Sequence, residues 1–550
     1  MMIFEPERRV ELPTSDVLSY IFGESSSYDP DGPLYIDVGN PSRSISRNQA
    51  RKIVRQLIAG FRAAGLKPGD CVSIHSFNDI YYSMLVLGIV GAGGVFTGTN
   101  PSYTQRELVH HLNVAKVKFL VSEPEIIDPL LAAATELQIP QSNIWVFDVH
   151  EKLPDGMRSW TELLKVGEED WVRFDDLETA RSTTAARLFS SGTTGLPKAT
   201  IITHYNLIGQ IELVFECYPK PYRTSRVVAL PVFHAAAVPF CHFGTMKTGE
   251  LVYMMRRFEL QGFLEAMQKF EATDLTVVPP MVVAIIMYPE SHKRPYLRKV
   301  RAASCAAAPL DKDLQARLAA LLSDGAPFTQ VWGMTETCCI ATMLPYPEQD
   351  TTGAVGRLIP NMEAKLIDDD GNNISAYGVP GELCVRGPTV TPGYLDNPVA
   401  NSEAFDTEGW FKTGDVAYCD AITHSWYIVD RKKELIKVRG FQVAPPELEA
   451  VLLSHPQIVD AAVIGVTFPG ADSELPRAYV VRRPGEEGAK LTAEAIQQYT
   501  TPLLARYKSL AGGIKFVDAI PKNASGKILK RILREDSKKD IETGMTRPKL

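Results

Sequence analysis

The sequence predicts an α/β protein in two parts. A large N-terminal domain of doubly wound sheets carries a small β subdomain, and a small α+β domain follows it. Three observations lead there. Apolar runs of strand length alternate with helical patterns as far as Glu336, as expected where helices cross between buried strands. From Gly353 to Asp430 the texture changes to short strands between turns such as Asp369-Asp-Gly371 and Val379-Pro-Gly381. The charged break Asp430-Arg-Lys-Lys-Glu434 then opens a new mixture of helix and strand. The expected divisions are 1–430, with 353–430 as the β-rich part, a boundary at 431–433, a second domain over 434–535, and a polar, mobile tail over 536–550.

In order along the chain, Ile45-Ser-Arg-Asn-Gln-Ala50 opens a helix ending near Gly65. Residues 69–74 read as turn and strand, 78–90 as a buried helix, and 119–122 and 143–147 as buried strands. Gly91-Ala-Gly-Gly94 is not a dinucleotide fingerprint, which would need glycine at Phe96, and reads as close helix–strand packing. Strands follow at 227–230, 251–254 and 275–278, the last stopping at Pro279-Pro280, which suits the first turn of a helix. Residues 300–304 lead into Cys305-Ala-Ala-Ala-Pro-Leu310, and 328–336 form a strand and its tip. In the second domain 446–454 and 493–499 read as helices, and 459–466 and 477–481 as strands.

A chain of 550 residues buries a large core and holds more than one domain. A net charge of −7 argues against a nucleic-acid coat or a membrane-surface protein. Eight cysteines without a Cys-x-x-Cys pair read as reduced thiols of an intracellular protein. The first residues lack the order of a signal peptide. The longest apolar run, 84–96, is too short and too glycine-rich to span a bilayer.

Ser190-Ser-Gly-Thr-Thr-Gly-Leu-Pro-Lys198 is expected as a loop between an apolar strand and a helix starting at Thr203-His-Tyr-Asn206. Gly192 and Gly195 permit positive φ and close approach to a ligand. Ser190, Ser191, Thr193 and Thr194 add hydroxyl donors, and Lys198 adds a charge. Such a loop suits a polyphosphate. Its spacing is not that of a Walker A, and Ser525-Gly-Lys527 fails the same test.

This run resembles the signature of the adenylate-forming superfamily, which includes acyl-CoA synthetases, 4-coumarate-CoA ligases, luciferases and peptide-synthetase adenylation domains. Ala199 stands where that family usually has glycine. The resemblance covers about Arg47 to Arg534. It is nearest the 4-coumarate-CoA ligase-like branch, in Val278-Pro-Pro-Met-Val-Val-Ala284 and Gly440-Phe-Gln-Val-Ala-Pro-Pro-Glu447. It implies a C-terminal lid hinged at 431–433, with ATP, Mg²⁺ and CoA taking part. A carboxylic acid and ATP would give acyl-AMP and pyrophosphate, and CoA would then give acyl-CoA and AMP. The nucleophile is the substrate, so in-line positioning and charge stabilisation carry the catalysis.

The resemblance also assigns roles. In Gln330-Val-Trp-Gly-Met-Thr-Glu336, Glu336 would ligate Mg²⁺, a hard ion that prefers oxygen. Thr335 would hold a phosphate or adenylate oxygen, and Trp332 would stack on adenine. Gln330 joins the nucleotide site, while Val331, where glycine is usual, Gly333 and Met334 shape the acyl pocket. Taken alone, Thr-Glu is an ordinary helix cap. Asp415, in Trp410-Phe-Lys-Thr-Gly-Asp415, would take both ribose hydroxyls, and taken alone it is a turn residue. Arg431 would support ribose or phosphates, with Lys433 beside it. Lys437, Gly440 and Gln442 belong to the stretch serving the second half-reaction, where Arg439, Gly440 and Gln442 would meet CoA. Lys527, in Pro521-Lys-Asn-Ala-Ser-Gly-Lys527, would reach the α-phosphate and the carboxylate together. Taken alone it is one lysine of a basic tail with Lys522, Lys530 and Arg531. His234 would gate the acyl site, and taken alone it is a core histidine. Ala235, Ala236, Ala306, Ala307 and Ala308 leave room for an acyl group.

Three other readings stay open: loading of a separate carrier protein, a luciferase-like oxidase, and a nucleotide-binding paralogue without catalysis. The acid is not legible; aryl, arylacetic, medium-chain and polyketide-type acids all suit, some of them belonging to secondary metabolism. Pro548-Lys549-Leu550 resembles a peroxisomal Ser-Lys-Leu address. A peroxisomal location and an import receptor as partner are therefore expected, with the cytoplasm as the alternative.

Overall fold

Two largely parallel sheets form the centre of the larger domain. The computed structural model describes residues 2–23, 27–190, 197–438, 441–469, 473–523 and 526–543, with the side chains of Phe441 and Gln442 outside that description. The six-stranded sheet runs in the order Ile144–Val146, Val117–Ser122, Cys71–His75, Val95–Thr99, Thr184–Ser190 and Lys198–Thr203. The seven-stranded sheet runs Phe328–Gln330, Ala302–Cys305, Asp274–Val277, Ser225–Val228, Leu251–Met254, Pro33–Asp37 and Ser44–Ser46. In each, only the last pair is antiparallel.

The helices between them follow from local chemistry. Helix Arg47–Ala63 starts at a capping box made by Ser46 and Gln49. Its buried Val54, Leu57, Ile58 and Phe61 recur at helical spacing. It packs on helix Ile80–Gly91, which is apolar and buried nearly all round. Gly88 makes that approach possible, because a Cβ there would lie 2.6 Å from the Leu57 Cβ.

The sequence reading fails at four places. The phosphate-loop candidate joins two strands, not a strand and a helix. Thr184–Ser190 and Lys198–Thr203 pair antiparallel with Ser190 opposite Lys198, and helix His204–Ile211 begins only afterwards. The β-branched Thr200, Ile201 and Ile202 suit that second strand. The expected strand over 328–336 divides at Val331. Phe328–Gln330 stays in the parallel sheet, and Trp332–Met334 pairs with Cys339–Met343 in another. The β-rich part has its four-stranded antiparallel sheet, Glu363–Ile367, Gly381–Arg386, Phe411–Cys419 and Trp426–Arg431, but also a helix, Pro398–Ala404, capped by Asn397. The tail expected from Asp536 is helical as far as Glu542, within Lys530–Glu542. That helix is held down by buried Asp540, which pairs with Arg477 and Lys515.

The smaller domain has a three-stranded sheet, Leu475–Arg482 between Ile458–Val466 and Ile514–Phe516, with helix Pro445–Leu453 packed on it. Among the described residues, no helix is long and apolar enough to cross a membrane.

Four histidines, His75, His111, His204 and His242, are buried. Burial lowers them from 6.5 to about 4, 3, 3 and 4 respectively. Unfolding restores the ordinary value, so the unfolded chain binds more protons between about pH 4 and 6.5. These rings should therefore make stability rise with pH across that window, by up to about 1.4 kcal/mol per pH unit each, while Asp430, raised by burial to about 7, opposes them by the equivalent of one ring. The urea midpoint at pH 5 is expected below that at pH 7. Equal midpoints would remove these rings as the cause of acid sensitivity.

Candidate active site

The site lies where the carboxyl ends of the seven-stranded sheet meet the antiparallel strands after it, the usual place for a ligand in an open parallel sheet. Asp415 and Arg431 are register partners on adjacent strands, which sets their side chains together. Asp415 is 5% exposed. Its Oδ1 lies 3.0 Å from Arg431 Nε, and its Oδ2 accepts a 2.8 Å hydrogen bond from Trp332 Nε1. Burial works against the Arg431 cation, but Asp415, Glu434, Glu336 and Asp430 outweigh it and raise its pKa.

Lys527 enters this field from the smaller domain. Burial, then Arg431, lowers its pKa, while Glu434, Asp415 and Glu336 oppose the shift. Its loop docks closely on the larger domain. A Cβ on Gly526, whose φ is +81°, would lie 3.1 Å from Pro280 Cγ and 3.3 Å from Val278 Cγ2. Only glycine takes that backbone and that clearance readily.

Glu336 is buried on the short turn Thr335–Thr337, and its Oε1 accepts a 2.9 Å bond from Tyr394 Oη. Lys198 Nζ stands 4.9 Å from the centre of the Tyr394 ring, a cation–π distance. Oε2 of Glu336 and the Thr335 hydroxyl make no hydrogen bond among the described residues. A carboxylate oxygen left free in this way fits a hard divalent ion. Sequence reading missed Tyr394, since Pro392-Gly-Tyr394 carries no signal beyond a turn.

Beside these groups opens a cavity of about 480 Å³. His234, Ala236, Ala306, Ala307, Val331 and Cys339 line its end nearest the site. His234 Nδ1 accepts from the Ala236 N–H at 3.1 Å, which leaves Nε2 to carry the proton. Burial, then Lys527, lowers His234 to about 4, so the ring is neutral at pH 7. Two wall residues hold positive φ: Ala307 at 75° and Cys339 at 118°. The Cys339 thiol lies 3.7 Å from the Ala236 carbonyl oxygen, and burial pushes it up to about 12.

Several expected site residues fall elsewhere. Gln330 belongs to the fold: its Oε1 accepts from Leu310 N–H, and its Nε2 donates to Leu310 O and Gln315 Oε1. Trp332 is buried in the core beneath the β subdomain, so its ring is not open for stacking and acts instead on Asp415. Ala308, Gly333 and Met334 do not line the cavity. Gly333 faces the neighbouring strand, where a Cβ would fall 1.6 Å from Cys339 O. Lys433 and Lys437 are exposed in the arrangement seen here. Ser190 is buried, and its hydroxyl has no partner among the described residues. Ser191, Gly192, Thr193, Thr194, Gly195, Arg439 and Gly440, the side chain of Gln442, and the tail from Gly544 lie outside the described residues.

The AMP-binding enzyme family matches residues 22–395, and the AMP-binding enzyme C-terminal domain matches 447–527; the chain belongs to this family. It is 53% identical to phenylacetyl-CoA ligase epaB of Aspergillus niger over 538 residues, 97% of this chain and 99% of that protein. It is 52% identical to acyl-CoA ligase azaF of Aspergillus niger over 536 residues, 97% of this chain and 100% of that protein. Among solved structures, ATP-bound MatB from Rhodopseudomonas palustris aligns with a TM-score of 0.83 at 27% identity, covering 96% of this chain and 99% of that one. An anthranilate CoA ligase, AuaEII, solved with anthranoyl-AMP, shares the fold with a TM-score of 0.85 at 21% identity, covering 97% of this chain and 99% of that one. The chain is an AMP-forming acid–CoA ligase with ATP and CoA as co-substrates.

Proposed function

We propose that the ligase activates an aryl or medium-chain acid, as a member of the 4-coumarate-CoA ligase-like branch serving secondary metabolism. The observation carrying this is the meeting of Lys527, Arg431, Asp415 and Glu336 beside a largely apolar cavity lined by His234, whose ring feels the Lys527 charge. In this reading Asp415 takes the ribose hydroxyls and Arg431 supports the phosphates. Lys527 bridges the α-phosphate and the acid's carboxylate. A bound Mg²⁺ would screen the phosphate charge, held by Glu336. Neutral His234 borders the acyl group, and small Ala236, Ala306 and Ala307 leave it space. Measuring pyrophosphate release and acyl-CoA formation across an acid panel tests this; release confined to acids outside both classes would refute the proposed range. The name of epaB, a phenylacetyl-CoA ligase, supports an arylacetic member of the panel.

The lid is proposed to turn about 431–433. Lys432 is anchored to the larger domain: its N–H donates to Gly414 O at 2.8 Å, and its Nζ pairs with Asp369 and Glu382 at 3.0 Å each. Lys433 makes no such bond among the described residues, so it is the better place to stiffen. Lys433→Pro should slow thioester formation at least about fivefold more than adenylation, by fixing φ. Equal effects on both halves would misplace the pivot.

A peroxisomal location, through an import receptor reading Pro548-Lys549-Leu550, is also proposed; it is supported by the likeness to Ser-Lys-Leu. A reporter carrying residues 536–550 should become punctate in cells, as a Ser-Lys-Leu control does. A diffuse signal beside a punctate control refutes it.

A further inference from the structure

We propose that the acid taken by this site is an elongated one, whose far end carries a neutral oxygen function seated among Lys220, Tyr222, Arg226, Glu250 and Asp274. The inference rests on the acid-binding role given above to the cavity, and concerns how far that cavity reaches.

The floor of the cavity is one face of the seven-stranded sheet. Residues 274–278 of one strand and Ala302, Ala303, Ser304 and Ala306 of the next border it. Leu275, Val277 and Ala303 also pack into the apolar core behind the sheet, so Asp274, Thr276, Ala302 and Ser304 are the ones whose side chains alternate toward the cavity. Alternation is what a single sheet face requires. Four residues along such strands span about 13 Å, so the cavity runs far past the reacting end. Its chemistry changes on the way. Leu230, Val278, Ala306 and Val331 make the near floor apolar. Next come the hydroxyls of Thr276, Ser304 and Thr329, which make no hydrogen bond among the described residues. The far end holds two ion pairs, Arg226 with Glu250 at 2.6 Å and Lys220 with Asp274. The opposite wall, including Phe215, Phe240, Ile340 and Met343, is apolar.

A single aromatic ring would occupy only the near end. A chain laid along the floor would pass the hydroxyls and reach the ion pairs. The side chains of Glu250 and Asp274 are 6% and 5% exposed, and that of Arg226 is 12% exposed. Buried ion pairs add little stability over well-packed apolar residues, whereas at the end of a binding cavity they supply fixed donors and acceptors. Lys220, Arg223 and Arg226 stand against Glu216, Glu250, Asp274 and Glu348 in the lining, so no excess of positive charge calls for a second carboxylate on the substrate. A hydroxyl or carbonyl fits, able to accept from the cations or donate to the acids. Tyr222 Oη, also on this wall, is buried with no hydrogen-bond partner among the described residues, and Arg301 lies 3.8 Å over its ring.

The test compares phenylacetic, decanoic and ω-hydroxydecanoic acids by pyrophosphate release and by acyl-CoA product. The expected order of kcat/KM is ω-hydroxydecanoic, then decanoic, then phenylacetic, with at least about tenfold between first and last, the scale of pocket discrimination. Ser304→Leu, which narrows the middle of the floor, should lower the ratio of ω-hydroxydecanoic to phenylacetic at least about tenfold. Arg226→Met should lower the ratio of ω-hydroxydecanoic to decanoic. If Arg226→Met does not fold, the wild-type order and Ser304→Leu decide. Phenylacetic acid as the best substrate, with ratios unmoved in Ser304→Leu, overturns this inference and leaves the proposed acid range standing. Release with none of the three acids overturns this inference, and the wider acid panel then decides the proposed range.

Discussion

Replacing Lys527 by alanine should lower ATP–pyrophosphate exchange by roughly 10²–10³-fold, the usual effect of removing a group that stabilises developing charge. Thioester formation from supplied acyl-AMP should stay within a few fold of wild type. The split follows from where the ammonium sits. It comes from the smaller domain into the field of Asp415, Arg431 and Glu336, and its loop reaches that place only by packing Gly526 on Pro280. In the proposed cycle that contact belongs to adenylation alone. An equal loss in both half-reactions would show that Lys527 serves throughout, or that the variant is damaged elsewhere; its melting temperature separates these outcomes.

Asp415→Ala should cut kcat/KM for ATP by about 10²-fold or more, raising KM for ATP and leaving KM for the acid nearly unchanged. Two donors hold this carboxylate, Arg431 Nε at 3.0 Å and Trp332 Nε1 at 2.8 Å. Removing it takes away the expected acceptor for the ribose diol and leaves Arg431 without its nearest counter-charge. Breaking a buried pair from one side costs about 3–5 kcal/mol, so a lower melting temperature should accompany the loss. Asp415→Asn keeps an acceptor for Trp332 and should melt higher than Asp415→Ala. A KM for ATP unmoved in both variants would refute the ribose role.

Legibility in the sequence followed the kind of physics involved. Helix Ile80–Gly91 and strand Leu251–Met254 were readable because apolar runs and periodicity declare burial locally. The strand Lys198–Thr203 was not, because Thr203 signals a helix start whether or not a strand precedes it. Helix Lys530–Glu542 escaped because its sequence is polar, and its anchor, Asp540 on Arg477, is a contact between residues 63 apart. Within the site, Asp415, Glu336 and Lys527 stood out only through resemblance, since each alone has an ordinary structural explanation. Gln330 was misread for the same reason: its motif is shared, but its amide is consumed by Leu310 and Gln315. The Arg226–Glu250 and Lys220–Asp274 pairs join residues on separate strands and loops, and no local pattern announces them.

The state of the cysteines bears on a hazard built into this chemistry. An acyl-adenylate is an electrophile awaiting a thiol, and Cys339 lines the same cavity. Burial pushes that thiol, and likewise those of Cys71, Cys241, Cys384 and Cys419, up to about 12. At neutral pH roughly one molecule in 10⁵ then carries the nucleophilic thiolate at any one of them. For Cys339 this scarcity of thiolate works against capture of the acyl group by the protein's own sulfur, although the residue stands in the pocket wall.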